Sequence, residues 1–160
     1  MVVNLKGEYN RGLIKRTKKQ MKKHITQMTD EEILFLEVSL KKIGKLSYSY
    51  HVLNKDISFN KADIEKILKE DNLKNCIIEY NETYTQDGLD RRVLLRGTDV
   101  KDVLYTKDNG EMFNALSNLC VVISLVKHRV VTCYWNLAND NHDTIKWDRY
   151  NSDLKIIKKD

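Results

Sequence analysis

One imidazole, several guanidiniums and a row of hydroxyl and amide side chains follow one another along this chain in an order that suits phosphate chemistry. His51 stands just ahead of a segment, Asn60–Glu70, that reads as a helix. Arg91, Arg92 and Arg96 lie in the run Asp90-Arg91-Arg92-Val93-Leu94-Leu95-Arg96, and Thr132, Tyr134 and Asn136 alternate through Arg129–Asn136. Imidazole titrates close to neutrality, so it can take a proton from a ribose hydroxyl or give one to a leaving oxygen. Arginine grips phosphate oxygens through paired hydrogen bonds, which favours it over lysine for a developing dianion. These are the groups that metal-free RNA cleavage needs. Each taken singly has an ordinary structural reading, because solvent faces of strands carry Arg and Thr routinely. The combination carries the inference.

Strand alternation sorts these residues by face. Arg92, Leu94 and Arg96 share one face of the arginine strand, and Arg91, Val93 and Leu95 the other. In the last strand Val131, Cys133 and Trp135 point one way, and Val130, Thr132, Tyr134 and Asn136 the other. If the apolar faces meet the helices, Arg92 and Arg96 stand beside Thr132 and Tyr134 on an open, concave sheet surface. Of the remaining histidines, His24 lies in a basic stretch and His128 in a hairpin turn. His142 sits in the polar run Asn139-Asp140-Asn141-His142-Asp143, which reads as a solvated loop and lacks metal-ligand spacing.

The elements that must position these groups change character near Asn75. Before it, residues 8–27 have weak helical character. Thr29-Asp30-Glu31-Glu32 is a capping box, and Ile33, Leu36, Leu40 and Ile43 follow at helical spacing, with Phe35 widening the stripe and Gly44 a stop. A second start at Asn60 leads to Ile64, Ile67 and Leu68 on one face. After Asn75, Cys76–Glu82, Arg91–Gly97, Leu119–Val126 and Arg129–Asn136 read as strands, with Val103–Thr106 a weaker one. Gln86-Asp87-Gly88 and Lys107-Asp108-Asn109-Gly110 mark turns, and Lys127-His128 a tight hairpin. The pattern predicts an α+β fold, with N-terminal helices packed on a four- or five-stranded, largely antiparallel sheet. Leu36, Leu40, Ile64, Ile67, Val121, Ile123, Val131 and Cys133 are the expected core. Trp147, Tyr150, Leu154, Ile156 and Ile157 are available to tuck the tail back.

At 160 residues the chain suits one domain, read as a basic helical arm over 1–28 and an α+β domain over 29–160. The net charge of +5 is unevenly placed, since residues 1–24 hold eight basic side chains against Glu8 alone. Lys15, Arg16, Lys18, Lys19, Lys22 and Lys23 of that arm, with Arg91, are candidate phosphate contacts; a solvated, frayed helix is the plainer reading. No apolar run approaches the roughly 20 residues of a membrane helix, and no secretory leader is visible. Cys76, Cys120 and Cys133 are widely spaced within apolar segments and read as buried thiols of a reducing cytoplasm. No phosphate-cradling glycine loop, paired-cysteine motif, H-E-x-x-H or nucleophile elbow occurs, so no cofactor and no metal is expected. The absence of proline and abundance of Lys, Asn and Ile hint at an AT-rich genome.

The run Ser49-Tyr50-His51, then Ile57-Ser58 and the helix Lys61–Leu68, resembles the opening of the small RNase-like toxin domains of the barnase–EndoU–colicin–RelE-like group. Arg91–Arg96 resembles their basic strand, and Leu119–Ser124 with Val130–Asn136 their closing hairpin. The similarity covers about residues 48–136; the insertion around Thr98–Asn118 and the lysine-rich arm depart from the compact pattern. The resemblance implies metal-independent ribonuclease activity in a bacterial or phage protein. His51 would be the acid/base, Arg92 and Arg96 would stabilise phosphate, and Thr132 or Tyr134 would assist. RNA is then the expected partner, with an antitoxin or host protein a further one. The alternative is a non-catalytic regulator or inhibitor that uses the basic arm and open sheet face to hold nucleic acid or protein.

Overall fold

The computed structural model describes residues 2–4, 20–53, 61–140, 149–151 and 153–156. In chain order these form β1 (Val2–Asn4), β2 (Gln20–His24), a 3-10 turn at Ile25–Gln27, α1 (Asp30–Lys41), β3 (Ser47–Tyr48), α2 (Tyr50–Leu53) and α3 (Lys61–Leu68). A 3-10 turn at Leu73–Cys76 then leads into β4 (Ile77–Thr85), β5 (Gly88–Arg96), β6 (Lys101–Thr106), β7 (Met112–Ser124) and β8 (Arg129–Leu137). α1 starts where its capping box sits: the Thr29 hydroxyl accepts from the Glu32 amide at 3.1 Å, and Glu32 accepts from the Thr29 amide at 2.9 Å. Two of the hairpin turns use glycine for left-handed backbone, with φ of 104° at Gly88 and 89° at Gly110, and the β7–β8 turn holds His128 there at φ 50°.

The eight described strands join one mixed, largely antiparallel sheet. β7 is its spine. One edge of β7 pairs with β8 over Ser117–Ser124. The other edge pairs with β6 over Met112–Ser117 and with β5 over Cys120–Ser124. β5 and β6 therefore make one line interrupted at Gly97–Val100. At the break the Gly97 amide donates to the Leu119 carbonyl at 2.8 Å. A Cβ on Gly97 would lie 3.1 Å from Ile67 Cδ1, so the missing side chain is what lets α3 sit this close. β4 flanks β5, and β2 flanks β4, both antiparallel, while β1 and β3 join β6 and β8 in parallel.

The five strands expected after Asn75 are present. The sheet is wider than four or five strands because β1, β2 and β3 are two- to five-residue pieces added at its edges. Such pieces take their pairing from a distant partner and carry no alternation of their own. Gln20–His24 is such a strand, although the spacing of apolar residues over 8–27 predicts weak helix; residues 5–19 lie outside the described residues. Leu36, Leu40, Val52, Ile64 and Ile67 from the helices share one buried cluster with Val93, Leu95, Val121, Ile123, Cys133 and Trp135 from the strands. Leu154 and Ile156 from the tail join the same cluster.

Val131 is a correction. The core residue is Val130, fully buried, and Val131 is only half-buried. The register between β7 and β8 slips between Val122 and Ile123, which pair with Thr132 and Val130 and leave Val131 as the extra residue of a bulge. The bulge inverts the alternation on its N-terminal side only. The Val131 carbonyl is taken by the Ser49 hydroxyl at 2.8 Å, and the same hydroxyl accepts from the Val52 amide at 3.1 Å to open α2.

Candidate functional site

The face of the sheet turned away from the core collects most of the polar residues singled out in the sequence. Register sets their rows. Arg96, Cys120 and Tyr134 lie side by side on β5, β7 and β8, and the next row runs His24, Glu79, Leu94, Val122 and Thr132 across five strands. Arg92 stands one row further, opposite Ser124. Arg96, Thr132 and Tyr134 thus share a face, but β7 stands between the arginine and the two β8 residues.

The surface is not open, and its arginines are engaged within the fold. Arg96 donates from Nε and Nη2 to Asn118 Oδ1 at 3.1 and 2.9 Å, and from Nη2 to the Leu137 and Ala138 carbonyls; Nη1 donates to the Asp140 carbonyl. It ties the end of β8 to β7. Arg92 Nε donates to Asp90 Oδ2 at 2.8 Å. The other Asp90 oxygen accepts from the Ser124 hydroxyl at 2.6 Å, so a buried carboxylate holds Arg92 against the β7–β8 turn. Arg91 points to the core side, with Nε 3.5 Å from Glu82 Oε2, an ion-pair contact without hydrogen-bond geometry.

The centre of the face is drier than a reaction site for a charged substrate. Burial pushes the Tyr134 phenol well above its ordinary range, and neighbouring Cys120 and Glu79 push the same way. Burial also pushes the Cys120 thiol up to about 12, with Arg96 pulling against it. Burial therefore keeps both groups, which hydrogen-bond to each other, protonated at neutral pH, and neither is a nucleophile. The tail closes one side of the face. The Tyr150 hydroxyl donates to Glu79 Oε2 at 2.6 Å, its ring meets the His24 ring edge-on at 5.7 Å, and Lys22 Nζ lies 3.7 Å from the other Glu79 oxygen. Burial raises the Tyr150 phenol, and Glu79 raises it further.

His51 is exposed on α2, which follows β3 at the far edge of the sheet. β3 is three strand positions from β5, about 14 Å at ordinary spacing, so the imidazole and the arginines stand on separate parts of the molecule. Lys23 is buried and donates to Glu32 and to the Leu154 carbonyl, each at 2.8 Å. Lys15, Arg16, Lys18 and Lys19 lie outside the described residues, as does His142. Sequence reasoning misses the roles of Asp90, Glu79 and His24, and takes Tyr150 only as one of the residues available to tuck the tail back. A signal exists for Asp90, which shares strand parity with Arg92 two residues on; none exists for the others, whose meeting depends on β2 and the tail.

Among the described residues no group of three His, Cys, Asp or Glu side chains is arranged to hold a metal ion, and no helix is long and apolar enough to cross a membrane. All three cysteines are free and buried. Fold and site together define a mixed α+β protein whose sheet has one apolar face and one internally neutralised polar face. Comparison with known proteins gives no matching family model, no matching curated protein and no matching solved structure.

Proposed function

We propose that this is a non-catalytic binding protein that holds a polyanion, RNA foremost, through the basic stretch ahead of β2. The observation behind this reading is the engagement of Arg91, Arg92 and Arg96 with Glu82, Asp90, Asn118 and backbone carbonyls. A metal-free ribonuclease needs cationic donors open to the phosphate and an imidazole within reach of the same atoms. Cations paired inside the fold serve rigidity instead. Residues 1–21 hold Lys6, Arg11, Lys15, Arg16, Lys18 and Lys19 against Glu8, which amounts to the whole net charge of +5. Counterion release makes such a stretch a phosphate binder of low sequence preference. A regulator acting on RNA in a reducing bacterial cytoplasm, encoded by the host or a phage, fits this chemistry and the buried thiols.

Anisotropy of a labelled single-stranded RNA across a salt series tests it. Reversing Lys15, Arg16, Lys18 and Lys19 to Glu should weaken binding and lower the slope of log affinity against log salt by roughly 0.7 for each phosphate no longer neutralised. An unchanged slope sinks the proposal. The second reading is the metal-independent endoribonuclease of the toxin-like group, favoured by the exposed imidazole of His51. RNA cleavage that survives excess chelator and disappears in His51→Ala would establish it in place of the first.

A further inference from the structure

α1 has two apolar faces. Its sequence holds Ile33, Leu34, Phe35 and Leu36 in succession, and at about 100° per residue four consecutive side chains cannot all turn to one side. Leu36 and Leu40 are buried in the core. Leu34 and Val38 lie on the opposite side, 58% and 41% exposed, with Phe35 half-buried beside them. Val126, 42% exposed in the β7–β8 turn, faces them across an open groove of about 730 Å³. Isolated exposed apolar side chains are common, but a continuous stripe that also walls a groove marks a contact surface.

The charges on the same stripe say what fits it. Glu31 lies one turn before Leu34 and Lys42 one turn after Val38, and both line the groove. Read along the helix the stripe is acid, apolar, apolar, base. A second copy laid antiparallel across a two-fold axis between Leu34 and Val38 sets each Glu31 beside the partner's Lys42. It also sets each Leu34 against the partner's Val38 and opposes the helix dipoles favourably. A parallel copy would stack like on like. We propose that this groove is a homodimer interface in which the α1 helices of two copies pack antiparallel. The proposal is independent of what the basic stretch binds.

Sedimentation equilibrium on the full chain is the test, with circular dichroism confirming that each variant is folded. The intact chain should be a dimer that dissociates on dilution. Leu34→Glu should be monomeric with an unchanged spectrum. By symmetry each single reversal, Glu31→Lys or Lys42→Glu, breaks two ion pairs and should raise the dissociation constant about tenfold. The double reversal E31K/K42E should recover most of that affinity, which only antiparallel self-pairing requires. A chain that stays monomeric up to its solubility limit overturns the proposal and leaves the groove to a different protein. A dimer indifferent to Leu34→Glu, or single reversals that the double does not rescue, overturns it equally.

Discussion

Lys23 shows how a cation is held when the fold needs it. Its ammonium and the Glu32 carboxylate, 7% and 11% exposed as side chains, meet at 2.8 Å and join β2 to α1, while the Ile156 amide donates to the same carboxylate. Burial pushes the Glu32 carboxyl up, yet hydrogen bonds from Lys23, Thr29 and Ile156 outweigh it, so its pKa stays below the ordinary 4.5. A carboxyl whose pKa is depressed by folding stabilises the native state fully above its unfolded value, and that stability is lost as pH falls through the folded value. Urea unfolding should therefore show stability declining below about pH 4.5, with Glu32→Gln removing that part of the decline. Lys23→Met, which leaves the carboxylate only its Thr29 and Ile156 amide partners, should cost about 3 kcal/mol at pH 7. An identical pH profile in wild type and Glu32→Gln would refute the assignment.

At the scale of elements the bulge in β8 decides which residues face the core. It turns Val130 inward and Val131 outward, and it frees the Val131 carbonyl for Ser49, so one irregularity fixes both the sheet face and the start of α2. Removing two buried methyl groups at Val130 forfeits their transfer energy and leaves a cavity. Val130→Ala should lower stability by about 2 kcal/mol and Val131→Ala by less than about 1 kcal/mol, measured by equilibrium denaturation. Equal destabilisation at the two positions would mean that β8 is not bulged there. The break between β5 and β6 is a second device of this kind: Gly97 lets Ile67 approach and ends one strand, and Lys101 starts the next on the same edge of β7.

Across the whole molecule the sheet is assembled from distant parts. β2 reaches β4, β3 reaches β8 and β1 reaches β6, while residues 149–156 supply Tyr150 to the polar face and Leu154 and Ile156 to the core. The tail is therefore a structural component. Ending the chain at residue 148 removes two buried aliphatic side chains, each contributing about 1.5–3 kcal/mol, together with a carbonyl partner of Lys23. Thermal unfolding of that variant should reveal a loss of about 3–6 kcal/mol, accompanied by weaker near-ultraviolet dichroism from the rings around Tyr150. An unaltered melting temperature would contradict the packing described for the tail.

Whatever depends on near neighbours is legible in the residues alone. The Thr29 capping box, the apolar stripes through Leu36–Leu40 and Ile64–Ile67, the turns at Gly88 and Gly110, and the five main strands all follow from spacing within a few residues. The shared face of Arg96 and Tyr134 is legible for the same reason, since strand parity is local. What those side chains meet is settled by long-range pairing. Asn118 rather than a phosphate faces Arg96 because strand register, not composition, selects cross-strand partners, whereas Arg92 meets Asp90 two residues away on its own strand. Lys23 is buried because β2 gains its hydrogen bonds from β4, far along the chain. His51 stands apart from the arginines because β7 and β8 intervene between β5 and β3. Distances between elements are set by pairing, and pairing between remote segments leaves no periodicity in either one.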